Sequence, residues 1–172
     1  YGKAILQTPP GYGIGGEHNY YFSHMLNCIY DCRYCFLQGM YRSANYVLFV
    51  NYEDFFNAID QTLTTIPENE AWFFSGYDCD SLALDPITDF TAHLLKFLES
   101  RRGVFVELRT KSTQTRALLS ASPNPNVIVA FTLTPTETAS RFEHKAPTIE
   151  KRLQAMKRLA QEGWLLGLRF DP

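Results

Sequence analysis

Short apolar runs alternate with amphipathic helical stripes along most of the chain, and this alternation restricts the fold more than any other feature. Asn19 to Leu26 reads as a strand and Tyr46 to Val50 as a second brief extended run. Phe55, Ile59, Leu63 and Ile66 then recur at spacings of three and four, as on a helix that buries one face. Asn51 is placed to cap that helix, with Asp54 at its third position, where a carboxylate suits the dipole. The pattern repeats with a strand at Ala71 to Ser75, a polar loop, and a helical stripe of Ile87, Phe90, Leu94 and Leu98. It repeats again with a strand at Val104 to Leu108 and a short helix through Leu118 and Leu119. After the strand Val127 to Phe131, Thr148 is placed to cap a helix carrying Ile149, Leu153, Met156 and Leu159. Gly163 ends that helix, and Trp164 to Leu168 is the last strand.

Strands alternating with helices imply right-handed crossovers and a parallel sheet. Five such strands and four helices predict an α/β fold. A closed barrel of eight strand–helix units takes about 250 residues, and this chain has 172, so an incomplete barrel or an open sheet is expected. Either architecture puts chemistry at the carboxyl ends of the strands. The loops carrying Cys35, Cys79, Lys111 and Pro135 fall there. Residues 1–18, rich in Gly and Pro, predict an irregular lead-in to one core domain over 19–172. That domain stops just after an apolar run, as a piece cut from a longer chain would.

Composition narrows the partners. Sixteen basic and 18 acidic side chains give a net charge of −2, so the chain has no polybasic tail and no overall cationic field. No apolar run approaches the ~18–20 residues of a membrane span, and the expected compartment is the cytoplasm, with no membrane partner. Four cysteines, three of them crowded between Cys28 and Cys35, do not make a disulfide scaffold.

Those three form the segment Cys28-Ile-Tyr-Asp-Cys32-Arg-Tyr-Cys35, a CxxxCxxC placed just after the first strand. Three thiolates in one tight loop can hold three irons of a [4Fe–4S] cluster and leave the fourth iron open to a substrate or cofactor. Structural zinc sites instead close the fourth position and pair CxxC with a second CxxC or a His pair. A zinc site completed by His24 or Cys79, and three unrelated thiols, are the competing readings. Asp78, Asp80 and Asp85 fall in one loop that lacks a glycine-turned calcium pattern.

At the cysteine loop the sequence resembles the radical S-adenosylmethionine superfamily. The resemblance implies a partial (βα) TIM-like barrel, the radical SAM core. It also implies S-adenosyl-L-methionine bound at the open iron and a reductant such as flavodoxin or ferredoxin. One electron from the cluster would then cleave the cofactor to methionine and a 5′-deoxyadenosyl radical that abstracts a substrate hydrogen. Tyr34 and Phe36, beside the last cysteine, are placed to cover the cluster and cofactor.

Longer stretches are similar to the spore photoproduct lyase family. They are Tyr21-Phe-Ser-His-Met-Leu-Asn-Cys28, Cys32-Arg-Tyr-Cys-Phe-Leu-Gln38, Phe74-Ser-Gly-Tyr-Asp-Cys-Asp-Ser-Leu-Ala-Leu-Asp85, Leu108-Arg-Thr-Lys111, and Phe142-Glu143 with Ile149 to Ala155. The resemblance implies that Ser75 and Gly76 approach the methionyl end of the cofactor, that Lys111 meets its carboxylate, and that Thr132 offers a hydroxyl. It implies a hydrogen-donating cysteine in the second-strand loop, where this chain has Tyr77 in register and Cys79 two residues later. Phe36 replaces a tyrosine expected after the third cluster cysteine. DNA as a partner is implied by the resemblance alone. The functions left open are a radical enzyme, a non-catalytic module stabilised by zinc or a cluster, and an electron relay.

Overall fold

The computed structural model describes residues 4–68 and 70–170. The chain enters through β1 (Leu6–Gln7), β2 (Asn19–Phe22), β3 (Met25–Leu26), β4 (Asp31–Cys32), α1 (Leu37–Met40) and β5 (Val47–Leu48). It continues through α2 (Tyr52–Thr64), β6 (Ala71–Ser75), α3 (Asp85–Thr88), α4 (Phe90–Leu98), β7 (Val104–Thr110) and α5 (Arg116–Leu119). The last elements are β8 (Val127–Leu133), α6 (Thr136–Phe142), β9 (Glu143–His144), α7 (Ile149–Gln161) and β10 (Leu165–Phe170).

The main sheet has six strands in the order β1-β2-β6-β7-β8-β10. The five strands expected from the sequence, β2, β6, β7, β8 and β10, pair in parallel, as in an incomplete barrel. The sixth corrects the reading of the lead-in as irregular throughout, because Leu6 and Gln7 pair antiparallel with Tyr21 and Tyr20. Side chains alternate across the sheet with period two. One face, with Phe73, Val106, Leu108, Val129 and Phe131, packs on Phe55, Ile59, Phe90, Leu94, Leu98, Ala155 and Leu159 of the helices. Each large buried side chain of that layer contributes roughly 1.5–3 kcal/mol of apolar transfer energy. The opposite face, with Phe74, Glu107, Arg109, Ala130, Thr132 and Arg169 in register, is the concave one that faces the site.

Local departures have local causes. The expected helical stripe from Ile87 is broken at Asp89, whose φ of 52° is left-handed, so Ile87 sits in the short α3 and is 73% exposed. Asp85 takes over the capping role, its Oδ1 accepting from Thr91 N at 2.8 Å. Asn51 holds the cap position of α2 but donates its amide to Asp54 Oδ2 at 2.6 Å instead of accepting a backbone N–H. Thr148 caps α7 as expected, accepting from Lys151 N. The run from Asn19 splits at Ser23, and its second half, β3, pairs antiparallel with β5 in a separate small sheet. Among the described residues no helix is long and apolar enough to cross a membrane.

His24, in that split, is buried with its ring stacked on Phe90, centroids 3.9 Å apart and planes within 5°. Burial pushes its pKa down from 6.5 to about 3, so the folded ring stays neutral. The unfolded ring titrates near pH 6.5. Between that pH and about 3 the unfolded chain therefore binds a proton that the folded chain does not. The stabilisation is complete above about pH 6.5 and is lost as pH falls. We expect the stability difference between the wild type and His24→Phe, measured by urea unfolding, to move by about 2 kcal/mol from pH 7 to pH 5, against the wild type. Parallel pH profiles would contradict this.

Candidate active site

A cavity of about 300 Å³ opens at the carboxyl ends of the parallel strands. Cys28, Cys32 and Cys35 form one wall, with Tyr34 and Phe36 beside them. Gly76, Tyr77, Cys79 and Asp80 reach it from the loop after β6. Arg109, Thr110 and Lys111 reach it from the end of β7, and Thr132 from β8. All four cysteines are free thiols. The cysteine loop is held from outside itself. Cys32 in β4 pairs antiparallel with Glu143 in β9, and Arg33 N donates to Phe142 O at 2.8 Å. Within the loop Cys35 N donates to Cys32 O at 2.9 Å, and Tyr30 N donates to Cys28 Sγ at 3.4 Å.

Burial pushes the Cys28 thiol up to about 12 and that of Cys32 to about 11, and the Cys79 thiol is raised as well. A metal bound here must therefore displace protons from neutral thiols. Three thiols on one wall, with an N–H already aimed at a sulfur, fit the donor set of an iron–sulfur cluster. A tetrahedral zinc would need a fourth ligand beside these three thiols. His24 is committed to its stack on Phe90 in the core and is no ligand for this loop.

Two buried carboxylates organise the walls. Asp80 Oδ1 accepts from Leu82 N at 3.0 Å, Ala83 N at 2.9 Å and Thr110 Oγ1 at 2.7 Å, while Oδ2 accepts from Lys111 N at 2.7 Å. One side chain thus fastens the β6 loop to the end of β7. Burial raises its pKa, and the backbone and hydroxyl donors work against that rise. Glu143 does the same for the cysteine loop. It accepts from Tyr34 Oη and from the fully buried Arg152, and lies 3.8 Å from Lys111 Nζ. Arg152 also donates to Thr132 O and Pro147 O, each at 2.9 Å.

The sequence reading missed Asp80, Glu143 and Arg152 as organisers. The run Tyr77-Asp-Cys-Asp80 shows polar residues in a loop but not that one carboxylate folds inward. Of the other loop acids, Asp78 accepts from Ser23 Oγ at 2.8 Å and Asp85 caps α4, so neither points to a cation. Gly76 is required, since its φ is 85° and a Cβ would lie 2.5 Å from Ser81 Oγ and 3.1 Å from Arg109 O. Ser75 is the one expected site residue that does not line the cavity. It shares the helix-side face with Phe73 and its register partner Leu108, and Ser81 Oγ donates to its hydroxyl at 3.3 Å.

A family model described as spore photoproduct lyase matches residues 17–172. The chain belongs to that family. Spore photoproduct lyases of Geobacillus sp. (strain Y412MC61) and Bacillus subtilis (strain 168) are each 24% identical to it, over 146 and 147 residues. These matches cover 84% of this chain and 43% of each relative, so the chain spans less than half the length of the lyases it matches. A solved spore photoproduct lyase complexed with dinucleoside spore photoproduct has a TM-score of 0.82 at 21% identity, over 88% of this chain and 45% of that one. A doubly substituted spore photoproduct lyase with bound AdoMet and the same dinucleoside scores 0.81 at 21% identity, over 87% and 44%. The resemblance read from the cysteine loop, the Ser-Gly-Tyr loop and the Thr-Lys strand end is thus borne out at the level of family and fold.

The Asp80 clamp makes a specific prediction. Asp80→Asn turns an N–H₂ toward at least one of the four donors, and we expect a loss on the order of 3 kcal/mol in urea unfolding. Asp78→Asn, which keeps an acceptor for Ser23, is expected to cost less than about 1 kcal/mol. Equal losses in the two variants would contradict the clamp.

Proposed function

We propose that this chain is the cofactor-binding core of a radical S-adenosylmethionine lyase of the spore photoproduct lyase type. One observation carries the reading: three free cysteine thiols share a cavity with the ammonium of Lys111 and the hydroxyl of Thr132. In this reading Cys28, Cys32 and Cys35 hold a [4Fe–4S] cluster and leave one iron open for S-adenosylmethionine. The chemistry supplied when both are bound is one-electron cleavage of a carbon–sulfur bond, giving methionine and a 5′-deoxyadenosyl radical that takes a hydrogen from the substrate.

The chain's own residues would bind, orient and shield. Lys111 is pinned at both ends, its N–H on Asp80 and its ammonium near Glu143, 5.5 Å from the Tyr34 ring centroid. It would meet the cofactor carboxylate as a positioned cation. Thr132 would offer a hydroxyl to the same ligand, and Gly76 would let the loop backbone approach closely. Tyr34 and Phe36 would screen the cluster from water. Ser75, behind the wall, would act only by supporting the turn at Gly76.

Cys79 suits a hydrogen-atom donor. A donor must still carry its hydrogen, and burial, with Asp80 and Cys28 nearby, holds its thiol protonated. Tyr77 is the other candidate. It is stacked on Tyr21 with centroids 4.4 Å apart and has Phe36 at 5.9 Å. The structural relatives hold a dinucleoside spore photoproduct, and for this chain we propose a substrate of that class, which the family resemblance implies to be a joined pair of pyrimidine nucleosides in DNA. A flavodoxin or ferredoxin would be the reductant, and such a protein would work in the cytoplasm.

Anaerobic reconstitution is expected to give a brown protein with about four irons and matching sulfide. With dithionite and S-adenosylmethionine it should release 5′-deoxyadenosine, and Cys28→Ala, Cys32→Ala or Cys35→Ala should each abolish this. Stoichiometric zinc without iron, or a cluster that never turns the cofactor over, would replace this reading with a structural module or an electron relay. On a turned-over substrate, Cys79→Ala should keep cofactor cleavage and lower product formed per 5′-deoxyadenosine by about tenfold, a barrier of ~1.4 kcal/mol. The same loss in Tyr77→Phe, with Cys79→Ala fully coupled, would move the donor role to Tyr77.

A further inference from the structure

The concave face of the sheet carries an ion cluster that the cofactor reading does not use. Glu107, in the middle of β7, is 1% exposed. Its carboxylate is shared by two guanidiniums. Arg109 Nε donates to Oε1 at 3.3 Å, and Arg169 donates from Nε to Oε1 at 3.2 Å and from Nη2 to Oε2 at 2.5 Å. One buried negative charge therefore faces two positive ones. Both Nη groups of Arg109, and Nη1 of Arg169, make no hydrogen bond to another described residue. The two side chains remain about a quarter exposed, so these donors are reachable.

The guanidiniums are also fixed in place. Tyr12, from the lead-in, lies under both, with ring-centroid distances of 4.9 Å to Arg109 and 5.8 Å to Arg169. Phe74 lies edge-on to Tyr12 at 5.3 Å and backs Arg169 at 5.9 Å. A carboxylate on one side and aromatic faces on the other leave the planar forks preorganised, so little side-chain entropy remains to be lost on binding. Arg169 is the register partner of Thr132, and Thr132 and Arg109 both line the cysteine cavity.

We propose that Arg109 and Arg169 form an oxyanion subsite on the concave wall, which holds the phosphodiester of a dinucleotide substrate while its reacting carbon faces the cysteine cavity. This rests on the proposed reading of the substrate as a pair of nucleosides in DNA. The two unbonded Nη groups of Arg109 can meet a phosphate bidentately, Nη1 of Arg169 adds a donor beside them, and an excess of one positive charge over Glu107 favours an anion there. The cofactor's carboxylate shares that chemistry, and the test separates the two sources.

The test is calorimetric titration of the anaerobically reconstituted protein with thymidylyl-thymidine and with its uncharged methylphosphonate isostere. S-adenosylmethionine is titrated separately. The charged dinucleotide should bind at least about tenfold tighter than the isostere, the margin of one charge-assisted hydrogen-bonded pair. That margin should vanish in Arg169→Met and shrink in Arg109→Met. Arg169→Lys, which keeps the charge and the fold, should retain part of it. Equal binding of the two dinucleotides by the wild type would overturn the subsite. So would loss of S-adenosylmethionine affinity in Arg169→Met with dinucleotide discrimination intact, which would assign the guanidiniums to the cofactor. A protein that discriminates the linkers but never forms 5′-deoxyadenosine would keep the subsite and refute the proposed activity; cleavage without discrimination would do the reverse.

Discussion

The site depends on Asp80. Its two oxygens take four donors, from Leu82, Ala83, Thr110 and Lys111, and so lock the loop after β6 to the end of the neighbouring strand. Burying a carboxylate costs several kcal/mol unless donors surround it. A clamp of this kind is retained for geometry, because an apolar residue would pack as well but could not fix the loop's backbone. With Asp80 in place, Gly76, Tyr77 and Cys79 face the cavity and Lys111 leaves β7 at a set angle. Glu143 and Arg152 extend the same logic to the cysteine loop, joining β9, the end of β8 and α7 through one buried ion pair.

The parallel core was legible in the sequence because its signal is local. Short apolar runs and stripes at three and four residues each report on one segment, and β2, β6, β7, β8 and β10 appeared where those patterns put them. What was not legible depends on pairs far apart in sequence. Nothing near Cys32 says that it pairs with Glu143, and nothing near Tyr12 says that it closes over Phe74. The break at Asp89 was hidden because the helix after it is capped by Asp85, six residues before its partner Thr91. The family resemblance implied a cofactor contact for Ser75, whereas the alternation of β6 turns its side chain to the helix side.

The two faces of the sheet divide the labour. The helix side is almost wholly apolar and holds the fold. The concave side places Glu107, Arg109, Arg169 and Thr132 where an apolar barrel interior would pack better. Charges there cost stability and have to be balanced among themselves, as Glu107 balances the arginines. That pattern is what a wall built to hold a ligand requires, and it continues into the thiol-lined cavity.

The central claim is that the three cysteines hold a cluster whose open iron takes S-adenosylmethionine. Electron paramagnetic resonance of the reduced, reconstituted protein tests it most directly, with and without S-adenosylmethionine labelled with ¹³C at its carboxyl carbon. The account predicts a shift in the cluster's g values on addition and a resolved coupling to the labelled carboxylate. A spectrum unchanged by the cofactor would mean that all four irons are already ligated, and would contradict the account.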